Sequence, residues 1–169
     1  MPVHFELLGS RHDRAAFSCG VPVLDDWFRV RSGQDQRRRV AQVFVALDGK
    51  EIVGFYSLSM FTLALDTLPA ELRRRLPRYE AIPAALIGRL GRAAHARGAG
   101  VGDLLLADAV NRVLAVTETI AAYAIVVDAK DDRGQKFYEA HGFIPLPSRP
   151  RRLFLLAETA VAALRAATK

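Results

Sequence analysis

The sequence predicts an α/β fold in a single domain spanning residues 1–169. Three observations carry this. Two β-branched runs, Val40–Asp48 and Glu51–Leu63, flank Gly49-Lys50 as the arms of a hairpin. A glycine-rich loop, Arg97–Gly102, separates an apolar run, Pro83–Arg92, from a long helical pattern, Val101–Thr117. No repeat, low-complexity linker or composition break divides a chain of 169 residues, which is about one domain's worth.

The elements follow in order. Val3–Leu8 reads as a short first strand. From Val21 the pattern turns helical: Leu24, Trp27, Phe28 and Val30 fall at helical spacing, with Asp25 and Asp26 in the first turn, where negative charge suits the helix dipole. This helix is expected to fade near Gly33 or to run on to Arg39. The hairpin comes next, with Phe44 expected in the core. Pro69 opens a short helix, Ala70–Leu76, and Pro77 stops it. Pro83–Arg92 reads as a central strand. The helix from Val101 is expected to bury Leu104, Leu105, Ala109, Val113 and Val116. Tyr123–Val127 reads as a buried strand. Asp131–His141 reads as a helix closed by Gly142. Strand pieces Phe143–Leu146 and Leu153–Leu156 and a final helix, Ala157–Ala167, complete the order.

Composition excludes several classes. Hydrophobic residues make up 51% and charged residues 25%, which is globular and not disordered. The single cysteine, Cys19, leaves no internal disulfide and argues against a thiolate metal site; it is expected to pack in its turn. His4, His12, His95 and His141 lack metal-ligand spacing, so no metal is expected. The start has no basic segment followed by an apolar stretch, and no apolar run nears the ~20 residues that span a bilayer. A cytoplasmic protein without a membrane partner is expected.

The net charge of +6 is almost all arginine, 20 Arg against 4 Lys. It is concentrated at 29–39 and 70–100, with a shorter cluster at Arg149, Arg151 and Arg152, and the remainder of the chain is net acidic. Such clusters are either solvated surface or a phosphate-binding face, since the planar guanidinium fork suits phosphate.

Arg97-Gly98-Ala99-Gly100-Val101-Gly102 sits where a strand gives way to a helix. Glycines let backbone N–H groups crowd round an anion, and the helix start adds free N–H groups and a positive dipole end. A diphosphate is the natural guest. No Gly-Lys-Ser/Thr follows, so it is not a P-loop, and the glycine register is wrong for a dinucleotide fold.

Arg97-x-x-Gly100-x-Gly102 resembles the [QR]-x-x-G-x-[GA] signature of GNAT-family acetyltransferases. Further segments resemble one branch of that family: Phe17-Ser18-Cys19-Gly20 with Leu24-Asp25-Asp26-Trp27; Gly54-Phe55-Tyr56-Ser57-Leu58; Leu76-Pro77-Arg78-Tyr79 with Ile82-Pro83; and Asp128-Ala129 with Phe137-Tyr138-Glu139-Ala140-His141-Gly142-Phe143. The branch is that of the toxins of bacterial type II toxin–antitoxin pairs, which acetylate aminoacyl-tRNA. Where it usually reads R-L-A-V-D, this chain has Arg89-Leu90-Gly91-Arg92-Ala93. Gly91 is expected to weaken the strand, and Arg92 puts a charge beside the expected cofactor.

The resemblance implies a mixed, mostly antiparallel sheet flanked by helices and splayed between its fourth and fifth strands. It implies acetyl-CoA as cosubstrate, held by Leu90, Gly91 and Arg92, by Arg97, Gly98, Ala99, Gly100, Val101 and Gly102, and by Phe137. Tyr138 matches the family's general acid. A phenol near 10 and a thiol near 8.5 make proton donation feasible without being strongly downhill. The strand from Ala81 to Ala94 carries no carboxylate, which favours an acceptor with a low pKa, such as an α-amine. Arg37, Arg38, Arg39, Arg74, Arg75, Arg78, Arg89, Arg149 and Arg151 are then candidates for tRNA contact. A ribbon-helix-helix antitoxin and a homodimer are the implied partners. Two alternatives remain open at the level of sequence: an acetyltransferase for a small amine or a protein N-terminus, and a non-catalytic module that binds acetyl-CoA or nucleic acid.

Overall fold

The computed structural model describes residues 2–167. The strands are β1 His4–Leu7, β2 Gln42–Asp48, β3 Glu51–Ala64, β4 Ala81–Arg92, β5 Ala124–Asp128, β6 Ile144–Leu146 and β7 Arg149–Leu156. They form a seven-stranded sheet in the order β1-β2-β3-β4-β5-β7-β6. The β1–β2, β2–β3, β5–β7 and β6–β7 pairs are antiparallel, and β4 and β5 run parallel, so the sheet is mixed. The helices are α1 Pro22–Asp26, α2 Ser32–Arg37, α3 Ala70–Arg75, α4 Val101–Val116, α5 Asp132–Ala140 and α6 Ala157–Ala167. Two compact units divide the chain: residues up to 59 with 87–109, and residues 60–86 with those from 110 on.

In the first unit, Pro22 starts α1, where a missing N–H costs nothing. A π turn, Trp27–Arg31, joins α1 to α2, so one helical path runs from Pro22 to Arg37. It stops short of Arg39, which takes a left-handed φ of 61°. The path buries Leu24, Trp27 and Phe28 and leaves Val30 exposed, contrary to the helical-spacing expectation. Phe28 stacks on Phe55 at 4.2 Å and 7°, and Phe17 closes the group edge-on to both. Phe44 is only half-buried and stacks on Tyr56. Gly91 does not weaken its strand, because β4 continues through Arg92. A Cβ at Gly91 would stand 2.7 Å from Phe55 Cε1, so the aromatic stack needs a residue without a side chain there.

In the second unit, the core gathers Leu63, Leu68, Ile82, Ala84, Val126, Leu146 and Phe154. The Asp131 carboxylate caps α5 by accepting from Gly134 N–H at 2.8 Å. At the other end, Phe143 N–H donates to the Tyr138 carbonyl and Gly142 N–H to that of Glu139. This paired closure comes with the expected apolar contact, Tyr138 on Phe143 at 5.7 Å.

Helix α4 buries Val101, Leu105, Leu106, Ala109, Val113 and Leu114. Leu104 and Val116 face solvent, against expectation. Three consecutive leucines, 104–106, leave the helical phase ambiguous in sequence, and the structure selects the last two.

Gly91→Ala is expected to lower stability by about 1–3 kcal/mol through overpacking against Phe55. Denaturant unfolding measures it; an unchanged midpoint contradicts the close approach.

Candidate active site

The loop before α4 has the geometry of an anion cradle. Gly98 and Gly100 adopt φ of +85° and +77°, a region that side-chain-bearing residues rarely enter. Leu104 N–H donates to the Gly100 carbonyl, so the helix begins there. The N–H groups of the first turn then lack intrahelical acceptors and carry the positive end of the dipole. Arg97, Gly98, Ala99 and Gly100 are exposed, Gly102 is half-buried and Val101 is fully buried. Val101 anchors the turn while its neighbours face outward.

The run Leu90, Gly91 and Arg92 ends β4. Leu90 and Arg92 are half-buried, and Gly91 is buried against Phe55. The preceding residue, Arg89, is half-buried with its guanidinium 4.2 Å above the Trp27 ring, and its N–H donates to the Ser57 hydroxyl at 3.0 Å.

Tyr138 lies on the inner side of α5, 8% exposed, between Phe137 at 5.3 Å and Phe143. Burial, with a smaller contribution from the Asp128 carboxylate, pushes its phenol up to about 12. Asp128 is held by Arg152 through two bonds of 2.7 and 2.8 Å, and Arg152 also covers the Phe61 ring.

Comparison with known proteins decides what these parts belong to. The acetyltransferase (GNAT) domain family matches residues 39–145. The probable toxin TacT of Sinorhizobium fredii is 34% identical over 86% of this chain and 86% of its own. The tRNA-acetylating toxin of Mycobacterium tuberculosis is 33% identical over 88% of each. The chain belongs to the GNAT acetyltransferase family. Its fold is also that of solved toxins. AtaT complexed with acetyl-methionyl-tRNAfMet superposes with a TM-score of 0.89 at 22% identity, over 96% of this chain and 99% of that one. An AtaT Tyr→Phe variant bound to the C-terminus of the antitoxin AtaR and acetyl-CoA superposes with a TM-score of 0.83 at 20% identity, over 98% and 99%.

Several features of this acetyltransferase were not read from sequence. The Phe17–Gly20 and Leu24–Trp27 segments form one device: the buried Asp25 carboxylate accepts from Cys19 N–H at 2.8 Å and from the Ser18 hydroxyl at 3.1 Å. Burial works against its charge, but these hydrogen bonds and Arg29 outweigh it and hold the carboxyl below its ordinary value. The Asp128–Arg152 pair spans 24 residues of sequence and has no local signature; cross-strand register on β5 and β7 brings it together.

The arginines divide by environment. Arg37, Arg38, Arg39, Arg74, Arg75, Arg78 and Arg149 are exposed. Arg151 is exposed and pairs with Asp132 at 2.7 Å, while Arg152 is committed to Asp128. Among the described residues no group of three or more His, Cys, Asp or Glu is placed to hold a metal, and no helix is long and apolar enough to cross a membrane.

Asp25→Ala is expected to cost about 0.5–2 kcal/mol by orphaning the Cys19 amide. The folded pKa lies below the unfolded value of 3.8, so the stabilisation is full above that value and is lost as pH falls through the folded pKa. Unfolding titrations should therefore show a constant gap between wild type and variant at neutral pH that closes in acid. A gap independent of pH contradicts the charged role.

Proposed function

We propose that this chain, acting as one acetyltransferase domain, moves the acetyl group of acetyl-CoA to the α-amino group of aminoacyl-tRNA and so blocks translation as a toxin. The observation that carries this reading is the 33% identity to a tRNA-acetylating toxin across 88% of both chains. A ribbon-helix-helix antitoxin as partner, a homodimer as the working form and the cytoplasm as the place of action belong to the same proposal.

The chemistry follows from the residues. The first-turn N–H groups at Gly100, Val101 and Gly102 take the CoA diphosphate, with Arg97 and the open backbone of Gly98 and Ala99 beside them. Backbone groups of Leu90, Gly91 and Arg92 bind the pantetheine arm, and Phe137 packs against the cofactor. The amine nitrogen attacks the thioester carbonyl carbon. A backbone N–H near Leu90 stabilises the oxyanion. The C–S bond then breaks, the amide forms, and the amine loses its proton to solvent.

Tyr138 gives its proton to the departing thiolate. With the phenol near 12 against a thiol near 8.5, donation is uphill unless it accompanies C–S cleavage. Its elevated pKa keeps the acid loaded throughout the working range. No base is required of β4, because an α-amine titrating near 7.7–8.0 is appreciably neutral at pH 7, whereas a lysine amine near 10.4 is not.

Incubation with labelled acetyl-CoA and total charged tRNA is expected to label the tRNA. Tyr138→Phe is expected to lower kcat by about 10²–10⁴-fold. The rate should rise with pH through about 8 and show no falling limb below about pH 10. Unlabelled tRNA overturns the function, and full activity of the variant overturns the acid.

Charge reversal at Arg37–Arg39 together with Arg73–Arg75 should weaken tRNA acetylation and flatten its dependence on salt, because fewer counterions are released. An unchanged salt slope removes these clusters from the RNA contact.

A further inference from the structure

A cavity of about 360 Å³ lies in the first unit between the helical path and β4, lined by Val23, Asp26, Trp27, Val30, Arg31 and Arg89. We infer that this cavity receives the aminoacyl group of the acceptor and selects for apolar amino acids. The inference rests on the reading of the chain as an aminoacyl-tRNA acetyltransferase and goes beyond it by assigning a pocket and a preference.

The size fits one residue, because ligand pockets begin at about 300 Å³. The lining divides into three chemistries. Val23 and Val30 are 77% and 72% exposed, β-branched apolar walls on a helical path whose other side is packed in the core. These two side chains make the apolar slot on the open side of the cavity, while the Trp27 ring is covered by the Arg89 guanidinium at 4.2 Å. Asp26 is the only carboxylate among the lining residues and is exposed, an acceptor for an ammonium or amine N–H. Arg89 and Arg31 supply donors for a phosphate. Burial lowers the pKa of Arg89, Asp35 opposes that, and Arg31 adds to it, so the guanidinium gains from an anionic guest. An aminoacyl-adenosine terminus presents an α-amine, a side chain and, across the ribose, the 5′-phosphate of the terminal nucleotide.

Location agrees. Arg89 is followed directly by Leu90, Gly91 and Arg92, the run assigned to the pantetheine arm. Each residue of a strand advances about 3.3 Å, so the cavity lies within about 10 Å of that run. A lysyl side chain would meet Arg31 and Arg89 as like charges, and a glycyl group would leave the slot unfilled. One methylene in an apolar pocket is worth about tenfold or more in selectivity, so a four-carbon side chain should be well distinguished from none.

The test compares acetylation of tRNAs charged with leucine, valine, methionine, glycine or lysine, using the full chain. The three apolar acceptors should react at least tenfold faster than the other two. Val30→Asp, at an exposed position that spares the fold, should cut the leucyl rate and raise the lysyl rate. Asp26→Asn should raise KM for every charged tRNA and leave the order of preference intact. Equal rates across the panel, or a Val30→Asp variant with the wild-type order, overturn the pocket.

Binding is read separately. Trp27 is the sole tryptophan and lines this cavity, so its fluorescence is the optical readout of binding there. Leucine methyl ester should bind at least tenfold more tightly than glycine methyl ester or N-acetylleucine methyl ester. Absence of both a fluorescence change and a heat of binding with leucine methyl ester overturns the proposal. If no charged tRNA is acetylated but leucine methyl ester binds with this preference, the tRNA reading fails and the pocket stands. If tRNA is acetylated without side-chain preference, the reverse holds.

Discussion

The Phe28 and Phe55 rings lie 4.2 Å apart and nearly parallel, and they do so because Gly91 offers no side chain to the space they occupy. Much of the first unit depends on this packing. It draws the helical path from Pro22 to Arg37 down onto β3 and β4. It sets Trp27 beneath Arg89 and leaves Val23 and Val30 on the open side. The glycine that looked like a weak point in the strand is the condition for the aromatic stack beside it. The buried Asp25 supports the same arrangement by tying the Phe17–Gly20 turn to the start of the helical path.

The proposed chemistry asks for two distinct environments, and the chain supplies each by ordinary means. An anion cradle comes from two left-handed glycines and a helix start. A neutral proton donor comes from burying a phenol near a carboxylate. That carboxylate, Asp128, is in turn held by Arg152, which limits the field it casts. A basic protein therefore uses its arginines in different ways. Arg152 and Arg89 are partly buried and serve local geometry, Arg97 is exposed in the glycine loop before α4, and the arginines at 37–39, 73–75 and 78 are exposed.

The fold was largely legible because periodicity reports burial. The hairpin, the central strand and the three later helices fall within a few residues of where alternation and helical spacing put them. Misreadings had physical causes. Leu104-Leu105-Leu106 fits two helical phases, and only packing chooses between them. Val30 fits the period of a regular helix, but a π turn at Trp27–Arg31 changes the phase. The loop, Tyr138 and the β4 run stand out in sequence through the motif they share with the family, and their roles belong to the proposed function. The Asp128–Arg152 pair and the Trp27–Arg89 cavity were not, because each joins residues from separate elements, and no local pattern encodes a meeting across 24 or more positions.

The central claim is that the acetyl group ends on the α-amine of an aminoacyl ester. The most direct measurement is mass spectrometry of the 3′-terminal fragment after nuclease digestion of tRNA incubated with the protein and acetyl-CoA. The account predicts one acetyl group on the amino acid of the aminoacyl-adenosine, and none on deacylated tRNA treated alike. An acetyl group on a nucleobase or ribose, or equal modification of deacylated tRNA, would contradict it.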